Sequence, residues 1–524
     1  MQNKITTYDT TLRDGSQTAG ISLSIQDKIN ISKTLDLLKI DVIEGGWPGS
    51  NPKDDQYFID IRKTELKHSK IAAFGSTRRK GMTCDEDPII QSLVNSNADI
   101  LTIVAKTWDF QVTKALNMTL DENIELIADT VTYLKTRGFE VYLDAEHFYD
   151  GCKENPEYAL KCLKAAERSG ADMLVLCDTN GGTLPNEVTD ITRKAVESTS
   201  IAVGVHFHND TGVAVANSMA AINAGASSVQ GTINGYGERC GNCDLITFIP
   251  NAVLKMGFHC SCADSLHHIT EASRFVSETA NLPHNEHRPY AGAYAFAHKG
   301  GIHVSALQKD TRTYEHIGPE LVGNHRKVII SELSGKSNVE FKAKELGIEI
   351  DKEINISKDV LKKIKDLEEK GFQFEAAEGS FELIIREATG EYKPFFKFIS
   401  FRLVTEMYGD GQLECEATIK VEVNGQIEHT AANGAGPVEA IDNALRKALT
   451  KFYPEIEKLH LSDYKVRVLN EGEGTGSSVR VLIDQTDSNT HWGTVGVSQN
   501  IIEASWMALV DGIEYLLFKN RKNK

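Results

Sequence analysis

Apolar runs of strand length and stretches of helical pattern alternate eight times along the first half of this chain. No other feature restricts the possible folds so severely. The β-like runs begin near Lys4, Asp41, Ile71, Ile100, Glu140, Met173, Ala202 and Ser228. Helical patterns follow them at about 24–39, 54–68, 87–97, 120–137, 156–169, 186–199, 212–224 and 243–256. Pro156 and Pro185 stand where helices begin and a missing N–H costs nothing, while Gly138, Gly170 and Gly225 stand where helices should stop. Alternation of this kind selects a parallel sheet, and eight units within about 255 residues match the usual length of a (β/α)8 TIM barrel. A doubly wound open sheet is the alternative.

A barrel carries its chemistry just after its strands, on one face. The first strand leads to Arg13-Asp14, the second to Glu44-Gly45-Gly46-Trp47-Pro48, the fourth to Lys106-Thr107-Trp108 and the fifth to Asp144-Ala145-Glu146. The sixth leads to Asp178-Thr179-Asn180-Gly181, the seventh gives His206-Phe207-His208-Asn209-Asp210, and the eighth runs into the loop Asn234 to Asn242. Residues two apart on a strand project to the same side, so His206 and His208 can reach one metal ion together with Asp14. Asn242 could add a neutral oxygen. Such a mixed N/O set favours Mg or Mn, with Zn or Co also compatible. Arg13 could hold a carboxylate or a developing oxyanion. Other residues have plain structural readings. Asp210 is placed to cap the helix that follows, and Asp178 and Thr179 can shape a turn. Gly235, Gly237 and Gly241 suit either backbone approach to a phosphate or tight turns. Cys240-x-x-Cys243 followed by Cys260-x-Cys262 invites a structural zinc reading, but the second pair lacks the CxxC spacing of such a site.

A formal net charge of −17 argues against nucleic-acid or membrane-surface binding. No apolar run approaches the roughly 20 residues of a membrane span, and nothing resembles a signal peptide. Nine scattered cysteines, an odd number, read as thiols of a reducing compartment, so a cytoplasmic location is expected. The chain is expected to divide into a barrel at 1–270, connector subdomains at 271–372 and a C-terminal α+β domain at 373–524. Nine of the sixteen histidines fall between His259 and His325. Residues 337–372 are charged and helical in pattern, interrupted at Gly347 and Gly371. In the last third, Val438-Glu439-Ala440-x3-Ala444-Leu445 recurs as Ile502-Glu503-Ala504-x3-Ala508-Leu509, 64 residues on. Each copy follows strand-like runs (Glu414 to Val423; Ser478 to Asp484) and an expected glycine turn (Gly434 and Gly436; Gly493 and Gly496). That period marks a duplicated strand–helix unit.

Three motifs carry a family resemblance. Asp9-Thr10-Thr11-Leu12-Arg13-Asp14-Gly15-x-Gln17, His206-x-His208-Asn209-Asp210 and Gly235-x-Gly237-Glu238-Arg239-x-Gly241-Asn242 resemble the signatures of the 2-isopropylmalate, homocitrate and citramalate synthase family. The run Glu44 to Asp54 and Lys106-Thr107-Trp108 most resemble the citramalate synthase branch, with Trp108 a candidate to narrow the acceptor pocket. The resemblance implies a metal-dependent Claisen-type condensation of acetyl-CoA with a 2-oxo acid. The acceptor is pyruvate in the leading reading and 2-oxoisovalerate in the alternative. It implies a divalent metal held by Asp14, His206, His208 and Asn242, and oxyanion stabilisation by Arg13. Glu146 and Thr179 match family positions that line the substrate site. Ala295 to His303 resembles the segment that supplies a catalytic His303 from outside the barrel, and Tyr314 matches a family tyrosine. With Glu146 these two form a proton-transfer set. The C-terminal domain resembles an allosteric region, implying feedback by isoleucine, and the connector implies a homodimer with shared active sites. A retro-aldol acyl-CoA lyase and a non-catalytic amino-acid sensor are the other classes considered.

Overall fold

The computed structural model describes residues 4–329, 336–348, 356–409, 411–469, 476–488 and 490–522. It falls into two compact units, one of Met1–Phe296 with Ile317–His325, the other of Ala297–His316 with Arg326–Lys524.

The first unit holds a closed barrel of eight parallel strands in sequential order, which excludes the open sheet. The strands are β1 (Thr6–Asp9), β2 (Val42–Gly46), β3 (Lys70–Ser76), β4 (Ile100–Lys106), β5 (Glu140–Glu146), β6 (Met173–Asp178), β7 (Ala202–Phe207) and β8 (Ser228–Gly231). Their starts lie within two residues of those expected from the sequence. Gly138, Gly170 and Gly225 end helices with φ of 86°, 94° and 109°, a backbone that only glycine adopts cheaply. The helix expected over 54–68 stops at Ile61. The Asp36 carboxylate accepts from the amides of Lys67, His68 and Ser69 at 2.8–2.9 Å, which holds that segment in a turn. The helix expected over 243–256 is a helix at Leu245–Pro250 continued by a wide π-type turn at Asn251–Lys255. Pro250, lacking an N–H and crowding the preceding turn, stands at the change.

Strand residues that point into the barrel are apolar at one end, where Val42, Ala72, Ile100 and Met173 pack together. At the other end they are polar: Glu44, Thr102, Asp144, His206 and Gln230 are all buried. That polarity gradient puts the chemistry at the carboxyl ends of the strands.

The second unit contains the helices Gly301–Leu307, Lys336–Glu345, Ile356–Glu369 and Glu378–Ala388, then two three-stranded antiparallel sheets. The strands Lys397–Met407, Leu413–Val423 and Gln426–Gly434 precede the helix Pro437–Leu449. The strands His460–Val468, Val479–Thr486 and His491–Ser498 precede the helix Ile501–Lys522. The duplicated strand–helix unit is thus present, and both copies share one core that includes Ile419, Leu445, Ile483 and Leu509. The expected turn at Gly493 and Gly496 is instead strand. A Cβ at either position would lie 1.9 Å from a backbone oxygen, of Ala376 and Ala504 respectively, so these glycines serve close backbone packing.

Candidate active site

Arg13, Asp14, Glu146, Thr179, His206 and His208 line one cavity of about 200 Å³ at the carboxyl ends of the barrel strands. Asp14 heads the short 3-10 turn Gly15–Gln17 after β1. His206 ends one side of β7, and His208, just beyond it, is bridged to Asn242 of the β8 loop. Nε2 of His206 lies 3.2 Å from Asp14 Oδ2 and 3.4 Å from His208 Nε2. Ligand atoms of Asp14, His206 and His208 all fall within 4.8 Å of one another, and all three residues are buried. Asn242 Nδ2 is 2.7 Å from Asp14 Oδ2, while its Oδ1 and the Nδ1 of His208 are buried with no hydrogen-bond partner.

This donor set fits a divalent cation. Buried polar atoms left without partners are rare, and two of those among the described residues belong to residues that could hold the ion. Turning the Asn242 amide would present its oxygen to the same point.

Electrostatics agree. Burial works against a charged Asp14, but the Arg13 guanidinium and His206 outweigh it and hold the carboxyl well below the usual carboxylate range. Burial, followed by the neighbouring His206, pushes His208 down to about 3, leaving a neutral imidazole with one ring nitrogen able to donate its lone pair. Burial and the Glu44 charge push Asp144 up to about 7.

Arg13 is oriented from two sides. Its Nε donates to Glu44 Oε1 at 2.6 Å, and its guanidinium carbon sits 3.9 Å from the centre of the Phe74 ring. Glu44 also accepts from the Tyr8 hydroxyl at 2.7 Å, and Tyr8 is in turn 2.7 Å from Thr102 Oγ1. Glu146 is ion-paired with Lys106. Thr179 accepts from the amide of His147 at 3.0 Å, and its carbonyl accepts from Arg239 at 2.7 Å. His303 and Tyr314 belong to the second unit, where their rings stack with centroids 4.1 Å apart.

Several sequence readings change. Asp210 does not cap a helix: both of its oxygens accept from Arg239, at 2.8 and 2.9 Å, and the amide of Ala214 is capped by Asn209 instead. Trp108 is not among the cavity-lining residues; its indole donates to Glu154 at 2.9 Å, and Phe74 and Val104 supply the apolar wall. The loop glycines shape the loop itself. Gly241, at φ 85°, would put a Cβ 1.9 Å from Gly235 O, and this close approach sets Asn242 beside Asp14. Asp178 does shape its turn, accepting from the amide and hydroxyl of Thr183 at 3.0 Å each. Cys240 is exposed, whereas Cys243 is buried against Ser218 and Cys262 against Thr7. Among the described residues the only metal-competent cluster of three His, Cys, Asp or Glu is Asp14, His206 and His208.

Phe74, Val104 and Gln230 escape the sequence reading, which takes in Asp144 only as part of the stretch that ends the fifth strand. A polar residue at an inward position of a barrel strand was the available signal for Asp144 and Gln230.

Comparison with known proteins gives three family matches. The HMGL-like family model matches residues 4–276, the homocitrate synthase post-HMGL domain-like model matches 291–371, and the LeuA allosteric (dimerisation) domain model matches 375–517. The (R)-citramalate synthase of Geobacter sulfurreducens is 53% identical over 516 residues, covering 98% of both chains. That of Aquifex aeolicus is 52% identical over 524 residues, covering 100% of this chain and 99% of the relative. The 2-isopropylmalate synthase of Methanocaldococcus jannaschii is 30% identical over 522 residues, covering 99% and 96%.

Proposed function

The chain belongs to the family of the (R)-citramalate and 2-isopropylmalate synthases, and from that premise we propose that it joins acetyl-CoA to pyruvate, giving (R)-citramalate and free CoA. Family membership makes it an acyltransferase-type enzyme. The observation that carries the finer reading is the likeness to (R)-citramalate synthases, 53% and 52% identical over nearly the whole chain, against 30% for the 2-isopropylmalate synthase. A buried Asp14, His206 and His208 set faces Arg13 in about 200 Å³ of space walled by Phe74 and Val104.

In this reading Asp14, His206 and His208, with Asn242 beside them, hold a divalent ion, Mg or Mn in preference to Zn or Co. Such an ion supplies Lewis-acid polarisation of the acceptor's keto group. Arg13, held rigid by Glu44 and Phe74, places its remaining N–H donors where negative charge develops on that oxygen. Thr179 fixes the rim through His147 and Arg239. Glu146, His303 and Tyr314 form the proton-transfer set, which rests on the family resemblance; the close stacking of His303 on Tyr314 supports a shared role for those two. Water entering after C–C bond formation cleaves the thioester.

The same reading divides the chain at 270 and 372, which the separate family matches support. It assigns residues 373–524 to dimerisation and to feedback by an amino acid, isoleucine where pyruvate is the acceptor. It places the enzyme in the cytoplasm, in keeping with nine free cysteines. No helix among the described residues is long and apolar enough to cross a membrane.

The decisive experiment is CoA release from acetyl-CoA with Mn²⁺ or Mg²⁺, comparing kcat/KM for pyruvate, 2-oxobutyrate and 2-oxoisovalerate. A clear preference for pyruvate is expected. A preference for 2-oxoisovalerate would move the chain to the leucine branch, and no release with any of them would overturn the reading.

A further inference from the structure

We propose that Gln230 is a positioning residue that sets the tautomer of His206, acting as an amide relay between Asp144 and that imidazole. The register puts the three together. His206 of β7 lies beside Gln230 of β8, and Asp144 of β5 points into the same interior. Gln230 Oε1 is 2.9 Å from His206 Nδ1, and Gln230 Nε2 donates to Asp144 Oδ1 at 3.0 Å. Gln230 is 1% exposed, so water does not compete for either bond.

The chemistry follows from what each group can do. The Gln230 NH₂ is committed to Asp144 Oδ1, an oxygen that accepts in either protonation state of the carboxyl, so the amide oxygen faces His206. An amide oxygen only accepts, so Nδ1 of His206 must carry a proton. The lone pair of a neutral His206 is then on Nε2, the nitrogen facing Asp14, His208 and Asn242. Reversing the amide would put a donor against Nδ1, place the lone pair on the wrong nitrogen and turn the ring's ligating atom into an N–H. Partners of this kind orient metal-binding imidazoles and typically account for 10–100-fold in metal affinity. The inference rests on the metal reading above, and the test separates the two.

The test is Mn²⁺ affinity of the full-length protein, with free Mn²⁺ counted by its EPR signal, alongside the melting temperature of the metal-free protein. Gln230→Leu removes both bonds at similar volume. Gln230→Glu keeps an acceptor for Nδ1–H. We expect Gln230→Leu to weaken Mn²⁺ binding about 10–100-fold, with kcat substantially restored at saturating Mn²⁺. Gln230→Glu should recover binding to within about fivefold, a rescue that a space-filling role for Gln230 does not explain. His206→Ala should abolish specific binding. Wild-type affinity in Gln230→Leu, or equal loss in the Leu and Glu variants, overturns the relay while leaving the metal reading intact. Absence of specific Mn²⁺ binding by the unaltered protein overturns both.

Discussion

Replacing Arg13 tests the centre of the proposed mechanism and the packing beneath it at once. The Glu44 side chain is 0% exposed and Arg13 only 15%. Arg13→Met therefore strands a buried carboxylate with one neutral partner, the Tyr8 hydroxyl. Breaking a buried pair from one side costs about 3–5 kcal/mol. An independent bound comes from proton uptake: a stranded carboxylate can neutralise itself for about 1.4 kcal/mol per pH unit above its ordinary value, about 4 kcal/mol at pH 7.5. The two agree. At about 2 °C per kcal/mol for a unit of this size, the barrel should melt about 8 °C lower. The sign of the pH effect follows. The variant's folded state takes up a proton more readily than its unfolded state, so its deficit is smallest at low pH and grows as pH rises. Loss of the oxyanion donor should lower kcat by about 10²–10³. Arg13→Lys keeps a cation beside Glu44 and should recover most of the melting temperature. It should not recover kcat, because an ammonium cannot bond Glu44 and the substrate oxygen with one planar fork. Calorimetry between pH 6 and 8 and a CoA-release assay read both quantities. A Met variant with a wild-type, pH-independent melting temperature would refute the packing reasoning, and a Lys variant with wild-type kcat would refute the oxyanion role.

Val104→Ala widens the apolar wall and should shift the kcat/KM ratio toward 2-oxobutyrate by about 1–3 kcal/mol, roughly 5- to 150-fold; an unchanged ratio would remove Val104 from the acceptor pocket. Gly241→Ala must place a Cβ 1.9 Å from Gly235 O on a left-handed backbone, so stability should fall by more than about 2 kcal/mol and metal affinity should fall with it. Full Mn²⁺ affinity in that variant would show that the loop does not position Asn242. In the second unit, burial pushes Asp511 up to about 6 and Glu514 up to about 7. Both are raised above their unfolded values, so their contribution to stability is complete below about pH 4 and is lost as pH rises through 6 and 7. The melting temperature of that unit should fall across this window, and Asp511→Asn with Glu514→Gln should flatten the profile; an equally steep profile in the double variant would locate the titration elsewhere.

The periodicity of hydrophobic residues by itself determined the barrel, because strand and helix repeats are local and each buried face must find a partner layer. It also determined where the chemistry sits, since Arg13, Asp14, Glu146, Thr179, His206 and His208 all lie at or just beyond strand ends and a barrel brings those ends to one face. The duplication in the last third was legible for the same reason. Tertiary structure alone decided which side chains meet across strands. That Gln230 lies beside His206 depends on the register between β7 and β8, and register is set by the closure of the whole barrel. That Asp210 reaches Arg239 instead of capping its helix depends on two loops converging from β7 and β8. Trp108 and the strand glycines 493 and 496 were misread for a related reason. A side chain's direction, or the need for none, is fixed by what packs against it from distant parts of the chain, and no local pattern carries that information.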